Sequence, residues 1–261
     1  MIIRALSDGS MLMIAQTEHC RLSGVFAAHW GNAQFARPTP YESTVKAAMF
    51  HDCGWYRYET SPIWDPDTRS TPSFMQVPLD DVQLAAFQWG TDWLTEIDPY
   101  AGLLINKHRT GLWRGRYGTM THPVVYNAKN LSDRVEAFIA RNEQVQADEL
   151  KAFDGEEFQT NYRLLQAWDF LSLYLCATDP APDHIDPVPQ GYGAGAAETR
   201  LTMTPLGDGR IRLAPYPFDV DKLPAEIRYK HLASQTFDSR EAFLAAYYGA
   251  TPVSRTFTFV P

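Results

Sequence analysis

Apolar residues along the chain fall first into helical spacing. Between residues 12 and 30, Leu12, Ala15, Leu22, Val25, Phe26 and Trp30 recur mostly at intervals of three and four. That spacing marks one buried helical face, and Gly31 follows as a stop signal. Pro38 and Pro40 interrupt the chain. Ser43 can then cap a helix through Val45, Ala48 and Met49 that ends at His51-Asp52, with Gly54 behind it. Residues 55–79 hold Pro62, Pro66, Pro72 and Pro78 among aromatic residues and show no sustained period. This predicts a long structured loop, of the kind that forms walls and lids. Asp80-Asp81 open the next helix, through Leu84, Phe87, Trp93 and Ile97. Asp98-Pro99 start another that reaches His108, because proline suits the first helical position. Residues 109–128 read as a loop rich in Gly, Arg and Tyr, followed by helices over about 132–147 and 158–176. The last of these is apolar on nearly every face.

The pattern changes in the Pro- and Gly-rich stretch 180–197, read as a linker. Beyond it, residues 200–204 and 210–213 alternate around Leu206-Gly207-Asp208-Gly209, which is a hairpin signal. Residues 255–260 read as a further strand, with a short helix at Glu241–Tyr248 between. The expected architecture is mainly α. A helical bundle would span residues 1–180, and a linker with a small hairpin-containing α+β extension would span residues 181–261, packed on it.

Composition narrows the setting. A chain of 261 residues can bury one large core without disulfide or metal staples. The net charge of −8 argues against general affinity for nucleic acid or anionic membrane, so a small molecule is the expected partner, with a homodimer left open. Cys20, Cys53 and Cys176 form no C-x-x-C pair and read as reduced thiols. The first residues lack the apolar core of a secretory signal, and no stretch approaches the roughly 18 apolar residues of a membrane span. A cytoplasmic protein is the expectation.

Candidate chemistry centres on charge in apolar helices. Asp169 lies in Ala167-Trp168-Asp169-Phe170-Leu171, where an unpaired carboxylate costs several kcal/mol and must be paired, neutralised or metal-bound. An ion pair with an arginine such as Arg163 is the structural alternative. His19 sits among apolar helical positions, where a core histidine bonded to backbone is the alternative. Three helices each sending imidazole or carboxylate to one point can build a divalent metal site. Imidazole and carboxylate without thiolate suit Mn, Fe, Co, Ni or Zn, one ion or two. His51 and Asp52 are consecutive and would point about 100° apart in a regular helix, so sharing a metal requires the looser geometry of a helix end. Lys107, Arg109, Arg114 and Arg116 are four cations within ten residues of an acidic chain. They read as anchors for an anionic, phosphorylated substrate or as a solvated basic loop.

The order His19, His51-Asp52, Asp169 resembles the metal signature of the HD-domain superfamily, whose members are all-helical metal-dependent phosphohydrolases. Gln16-x-x-His19, His51-Asp52-x-Gly54-Trp55, Thr71-Pro72-Ser73-Phe74 and Asp98-Pro99-Tyr100-Ala101 more narrowly resemble the DUF3891 family of HD-like bacterial proteins. The resemblance implies a metal held by His19, His51, Asp52 and Asp169. His108 and His122 stand where two-metal members carry further histidines, and Asp52 and His108 are the implied catalytic residues. Trp55 stands where signalling hydrolases often carry lysine, which counts against cyclic dinucleotide cleavage. The activity so implied is a phosphohydrolase acting on a small phosphorylated metabolite or nucleotide. A di-iron oxygenase and a non-catalytic metal- or ligand-binding module are the alternatives.

Overall fold

The computed structural model describes residues 1–121 and 131–261. Strands β1 (Ile2–Ala5) and β2 (Met11–Ile14) lead into α1 (Gln16–Ala28) and α2 (Tyr41–Phe50). A tight turn and the short α3 (Tyr56–Glu59) follow, then α4 (Asp81–Ile97), α5 (Pro99–Trp113), α6 (Asp133–Glu149) and α7 (Gly155–Cys176). The remainder is β3 (Asp183–Pro189), β4 (Glu198–Gly207), β5 (Arg210–Ala214), β6 (Leu223–Leu232), α8 (Arg240–Gly249) and β7 (Pro252–Val260).

All seven strands form one sheet in the order β1-β2-β6-β7-β5-β4-β3. Its pairs are antiparallel except β5 with β7, which run parallel. The fold is therefore α/β with a mixed curled sheet, and the expectation of a mainly α, all-helical bundle with a small β extension is overturned. The reason is long-range pairing. Met11 faces Leu232 and Met13 faces Lys230, so a strand from the start of the chain pairs with one more than 200 residues later. No local period reports such a partner. Leu12, expected in the first helix, lies in β2 instead.

The stretch read as a linker contains β3. Its prolines are tolerated because β3 is an edge strand, and its register shifts between Ile185 and Val188. β6 was concealed by Pro224, although Leu223, Ala225 and Ile227 alternate inward. The hairpin signal is met: Asp208 and Gly209 both have positive φ, 52° and 73°, and connect β4 to β5 in the primed-turn geometry that matches strand twist.

Local chemistry explains the helix starts. Asp80, Asp98, Ser132, Asp154 and Ser239 each accept a backbone N–H in the first turn of α4, α5, α6, α7 and α8, and Pro99 occupies the first turn of α5. α1 and α7 pack on the sheet through Phe26, Trp30 and Trp168. The Phe26 ring stands edge-on to Phe259 at 5.5 Å and Trp30 meets Trp168 at 5.8 Å. A second apolar cluster joins Trp55, Phe87, Trp113, Phe138 and Ile139 between α4, α5 and α6. A third seats α8 on β2 and β6 through Met11, Met13, Leu232 and Phe243. Among the described residues, no helix is long and apolar enough to cross a membrane.

Candidate metal centre

α1 begins at Gln16, where Ala15 offers no side-chain cap. Glu59 supplies it from α3: its carboxylate accepts the Gln16 backbone N–H and, at 2.8 Å, the Thr17 hydroxyl. This ties the start of α1 to the segment that follows the His51-Asp52 corner. At that corner α2 ends at Phe50, and Asp52 leaves helical geometry with φ −117° and ψ 22°. Two consecutive side chains thereby reach one point. Gly54 then presses against α4. A Cβ there would stand 2.8 Å from the Ala86 carbonyl oxygen, and one on Gly90 would stand 2.7 Å from the Gly54 nitrogen, so both positions require glycine.

Four buried side chains from α1, the end of α2 and α7 converge. His19 Nε2 lies 3.1 Å from His51 Nε2, 3.5 Å from Asp52 Oδ2 and 3.9 Å from Asp169 Oδ1. His51 Nε2 lies 3.5 Å from Asp169 Oδ1. The far nitrogens of both rings are engaged. His51 Nδ1 donates to the Ala48 carbonyl at 2.8 Å. Ser172 Oγ donates to the Asp169 carbonyl at 2.8 Å and accepts from His19 Nδ1 at 2.6 Å. Each imidazole thus turns an Nε2 lone pair inward, in the orientation that outer hydrogen bonds impose on metal-binding histidines. Two imidazole nitrogens and two carboxylate oxygens then face one another.

That donor set fits a divalent cation. Ligands around a metal with bonds of about 2.1 Å lie about 3.0–3.4 Å apart; the separations here run from 3.1 to 3.9 Å, and Cys20 lies within ligand reach of His19 and His51, as His108 does of His51 and Asp52. Without a cation, protons compensate: burial opposes charge on His19, but Cys20 and Asp52 outweigh it and hold the imidazole at about 9. His51 is likewise held well above its ordinary value against burial, by Cys20 and Asp169. Despite burial, Arg109 and the two imidazoles hold Asp52 far below the usual carboxylate range, and His51 and Arg116 do the same for Asp169.

The outer carboxylate oxygens are taken by arginine. Arg109 on α5 donates to Asp52 Oδ1, and Arg116 Nη2 donates to Asp169 Oδ2 at 2.9 Å. Arg163, the partner considered for Asp169 from sequence, pairs instead with Glu198 at 2.6 Å. Arg116 and Tyr117 are consecutive non-glycine residues with φ of 52°, a sparsely populated conformation that aims the Arg116 side chain inward. The Tyr117 hydroxyl bonds Thr110 Oγ1 at 2.8 Å and donates to Glu143 at 2.9 Å, which fixes the turn.

His108 stands beside the cluster, with Nε2 3.8 Å from Asp169 Oδ2 and its ring 5.0 Å from that of His51. Burial, with the neighbouring His51 and Arg116 cations, holds it well below its ordinary value, in the neutral form. Lys107 lies over the Tyr117 and Tyr162 rings, and Arg114 pairs with Glu136 and Glu143, so neither joins the other two cations. His122 lies outside the described residues. Four residues of the site carried no assigned role in the sequence. Gln16 donates to Asp52 Oδ2 at 3.4 Å, Cys20 Sγ lies 4.0 Å from His51 Nε2, Ser172 orients His19, and Ser23 Oγ bonds Ser172 Oγ at 3.0 Å. Gln16 and Cys20 flank His19 in sequence, so the register of α1 carried that signal. Ser172 could be found only by noticing that it is three residues from Asp169.

A half-open cavity of about 120 Å³ descends to this centre. His108, Arg109, Arg116 and Asp169 border its polar end, while Trp55, Phe74, Phe87 and Trp113 form much of the remaining wall. The long loop over 55–79 is therefore a wall of the cavity, as its composition suggested.

The fold is α/β, and its buried His and Asp side chains include groups that could hold a metal ion. The chain belongs to the DUF3891 family, described as a protein of unknown function, whose model matches residues 1–234. No curated protein and no solved structure matches it.

Proposed function

We propose that this protein is a metal-dependent phosphohydrolase of the HD type, acting on a small phosphorylated molecule. The observation that carries this reading is the inward-facing His19, His51, Asp52 and Asp169 set, whose far sides are all engaged, opening on a cavity bordered by two buried guanidiniums. His19, His51, Asp52 and Asp169 would hold a divalent ion, which would supply a water of lowered pKa and polarise a phosphoryl oxygen. Arg109 and Arg116 offset the charge of the phosphoryl group and orient it through their remaining N–H groups. His108, neutral and at the cavity border, is placed to accept a proton from the attacking water. Asp52 and Asp169 each hold an arginine with one oxygen and the cluster with the other, so the protein fixes cation and substrate anchor together. The two guanidiniums stand on the outer oxygens that a second ion would use, which favours one ion with two arginines over a di-iron oxygenase.

Elemental mass spectrometry of freshly purified protein, with hydrolysis of p-nitrophenyl phosphate, tests the reading. About one Mn, Co, Ni or Zn per chain is expected, with metal and activity both lost in Asp52→Ala. A fully metallated and active Asp52→Ala variant would overturn it, as would two irons per chain with oxygen consumption.

A further inference from the structure

The cavity wall describes the part of the substrate that does not react. Residues lining it leave buried polar atoms without partners among the described residues: Trp55 Nε1, Gln83 Oε1 and Arg116 Nη1, besides His108 Nδ1. Their side chains are 2%, 1% and 6% exposed for Trp55, Gln83 and Arg116. Buried polar groups are nearly always satisfied, and each unsatisfied one costs about 1–3 kcal/mol. Three such atoms on residues around one cavity mark positions that a bound molecule completes.

Their chemistry is specific. Arg116 Nη1–H is a charged donor attached to the residue that also grips Asp169, so it belongs to the phosphoryl end. Trp55 Nε1–H is a neutral donor and Gln83 Oε1 a neutral acceptor, on residues otherwise set among Phe74, Phe87 and Trp113. A hydroxyl both donates and accepts, so one hydroxyl substituent offers what these two residues lack. The surrounding rings already pack on one another, Trp55 edge to face with Phe87 at 5.6 Å and Phe87 tilted against Trp113 at 6.0 Å, and another ring packs favourably among them. The volume of about 120 Å³ is close to the roughly 150 Å³ of an engineered apolar cavity that admits benzene. A single ring is of the size that this volume admits.

We infer that the substrate is a compact hydroxyaryl phosphate, its ring held between Phe87, Trp113 and Phe74 and its hydroxyl shared by Gln83 and Trp55. This rests on the hydrolase reading only for the position of the phosphoryl group. Calorimetric titration of metal-loaded protein separates the two. The probes are methylphosphonate, phenylphosphonate, 3-hydroxyphenylphosphonate and AMP. Phenylphosphonate is expected to bind at least about tenfold tighter than methylphosphonate, from burial of the ring. The hydroxyl should add about another fivefold or more, lost in Gln83→Leu and in the conservative Trp55→Phe while methylphosphonate affinity stays constant. Equal affinity for phenyl- and methylphosphonate, or tighter binding of AMP than of phenylphosphonate, overturns the inference while leaving the metal centre untouched. Equal binding of the aryl probes with and without metal would instead fail the hydrolase reading and sustain the ring pocket.

Discussion

The sheet and the helices that cover it solve opposite problems. From residue 183 onward every buried side chain is apolar, and the sheet meets α1 and α7 through Leu, Ile, Met and Phe. The preceding helices bury His19, His51, Asp52, His108, Arg109, Arg116 and Asp169 within a few ångströms of one another. An apolar core gains stability from area removed from water, whereas buried charges gain only when each is closely paired. The protein therefore rests its rigidity on one region and its chemistry on the other. α1 and α7 serve both, with Phe26 and Trp168 against the sheet and His19 and Asp169 at the site.

This division breaks first at Asp169. Asp169→Asn preserves shape but removes the charge that faces two imidazoles and Arg116. Metal affinity should fall by more than the roughly 10–100-fold typical of losing an outer partner. The metal-free protein should also lose about 3–5 kcal/mol, because Arg116 stays buried without its counterion. Metal content and melting in EDTA measure the two effects separately, and an unchanged melt would show that Arg116 finds water. The converse is Phe259→Ala in the centre of the sheet. Its fully buried ring touches Phe26 and Phe218, and its loss should cost about 3–5 kcal/mol. Metal per folded chain should not change. If it does, the two regions are coupled through α1 more tightly than the packing implies.

How much of each region the sequence discloses follows from the same difference. The helical region is legible because its signals are local: Asp98-Pro99 starts α5, and Asp169 inside an apolar helix declares itself by its cost. That His19, His51 and Asp52 stand with Asp169 was implied by the family resemblance rather than by any local signal. The sheet is mostly illegible because its long-range pairing joins Met11 to Leu232. The β4–β5 hairpin, whose turn residues are contiguous, and the strand over 255–260, which lies within β7, could be read directly. Arg109 and Arg116 fell between these cases. Their charge was evident, but the pairing of Arg109 with Asp52 is a long-range contact from α5, and that of Arg116 with Asp169 depends on the left-handed backbone at Arg116 and Tyr117, where non-glycine residues give no local signal.

Subtler changes sharpen the boundary. Ser172→Ala removes the acceptor that fixes the His19 tautomer, 2.6 Å from Nδ1, without touching the inward donors. Metal affinity should drop by about 10–100-fold with little change in the melt of the metal-free protein. A competition titration against a metal-binding dye reads this directly, and unaltered affinity would mean that His19 is oriented by packing alone.

The smallest effect lies outside the site, at the start of α5. Asp98 caps that helix through the Ala101 N–H at 3.1 Å and accepts from Lys46 at 2.7 Å. Burial works against its charge, yet Lys46 and the cap hold its carboxyl below the usual carboxylate range. A depressed folded pKa stabilises above the unfolded value and loses that contribution as pH falls through the folded one. Asp98→Asn keeps the cap, since asparagine caps as well as aspartate, and deletes only the charge. It should cost about 0.3–1 kcal/mol at pH 7, and the two proteins should converge in stability as acid protonates Asp98 in the parent. Metal stoichiometry should be the same in both, since Asp98 lies ten residues, or about 15 Å of helix, from His108. A loss of metal in Asp98→Asn would show that the set of α5 is not fixed by its apolar face and that the centre depends on how the helix begins.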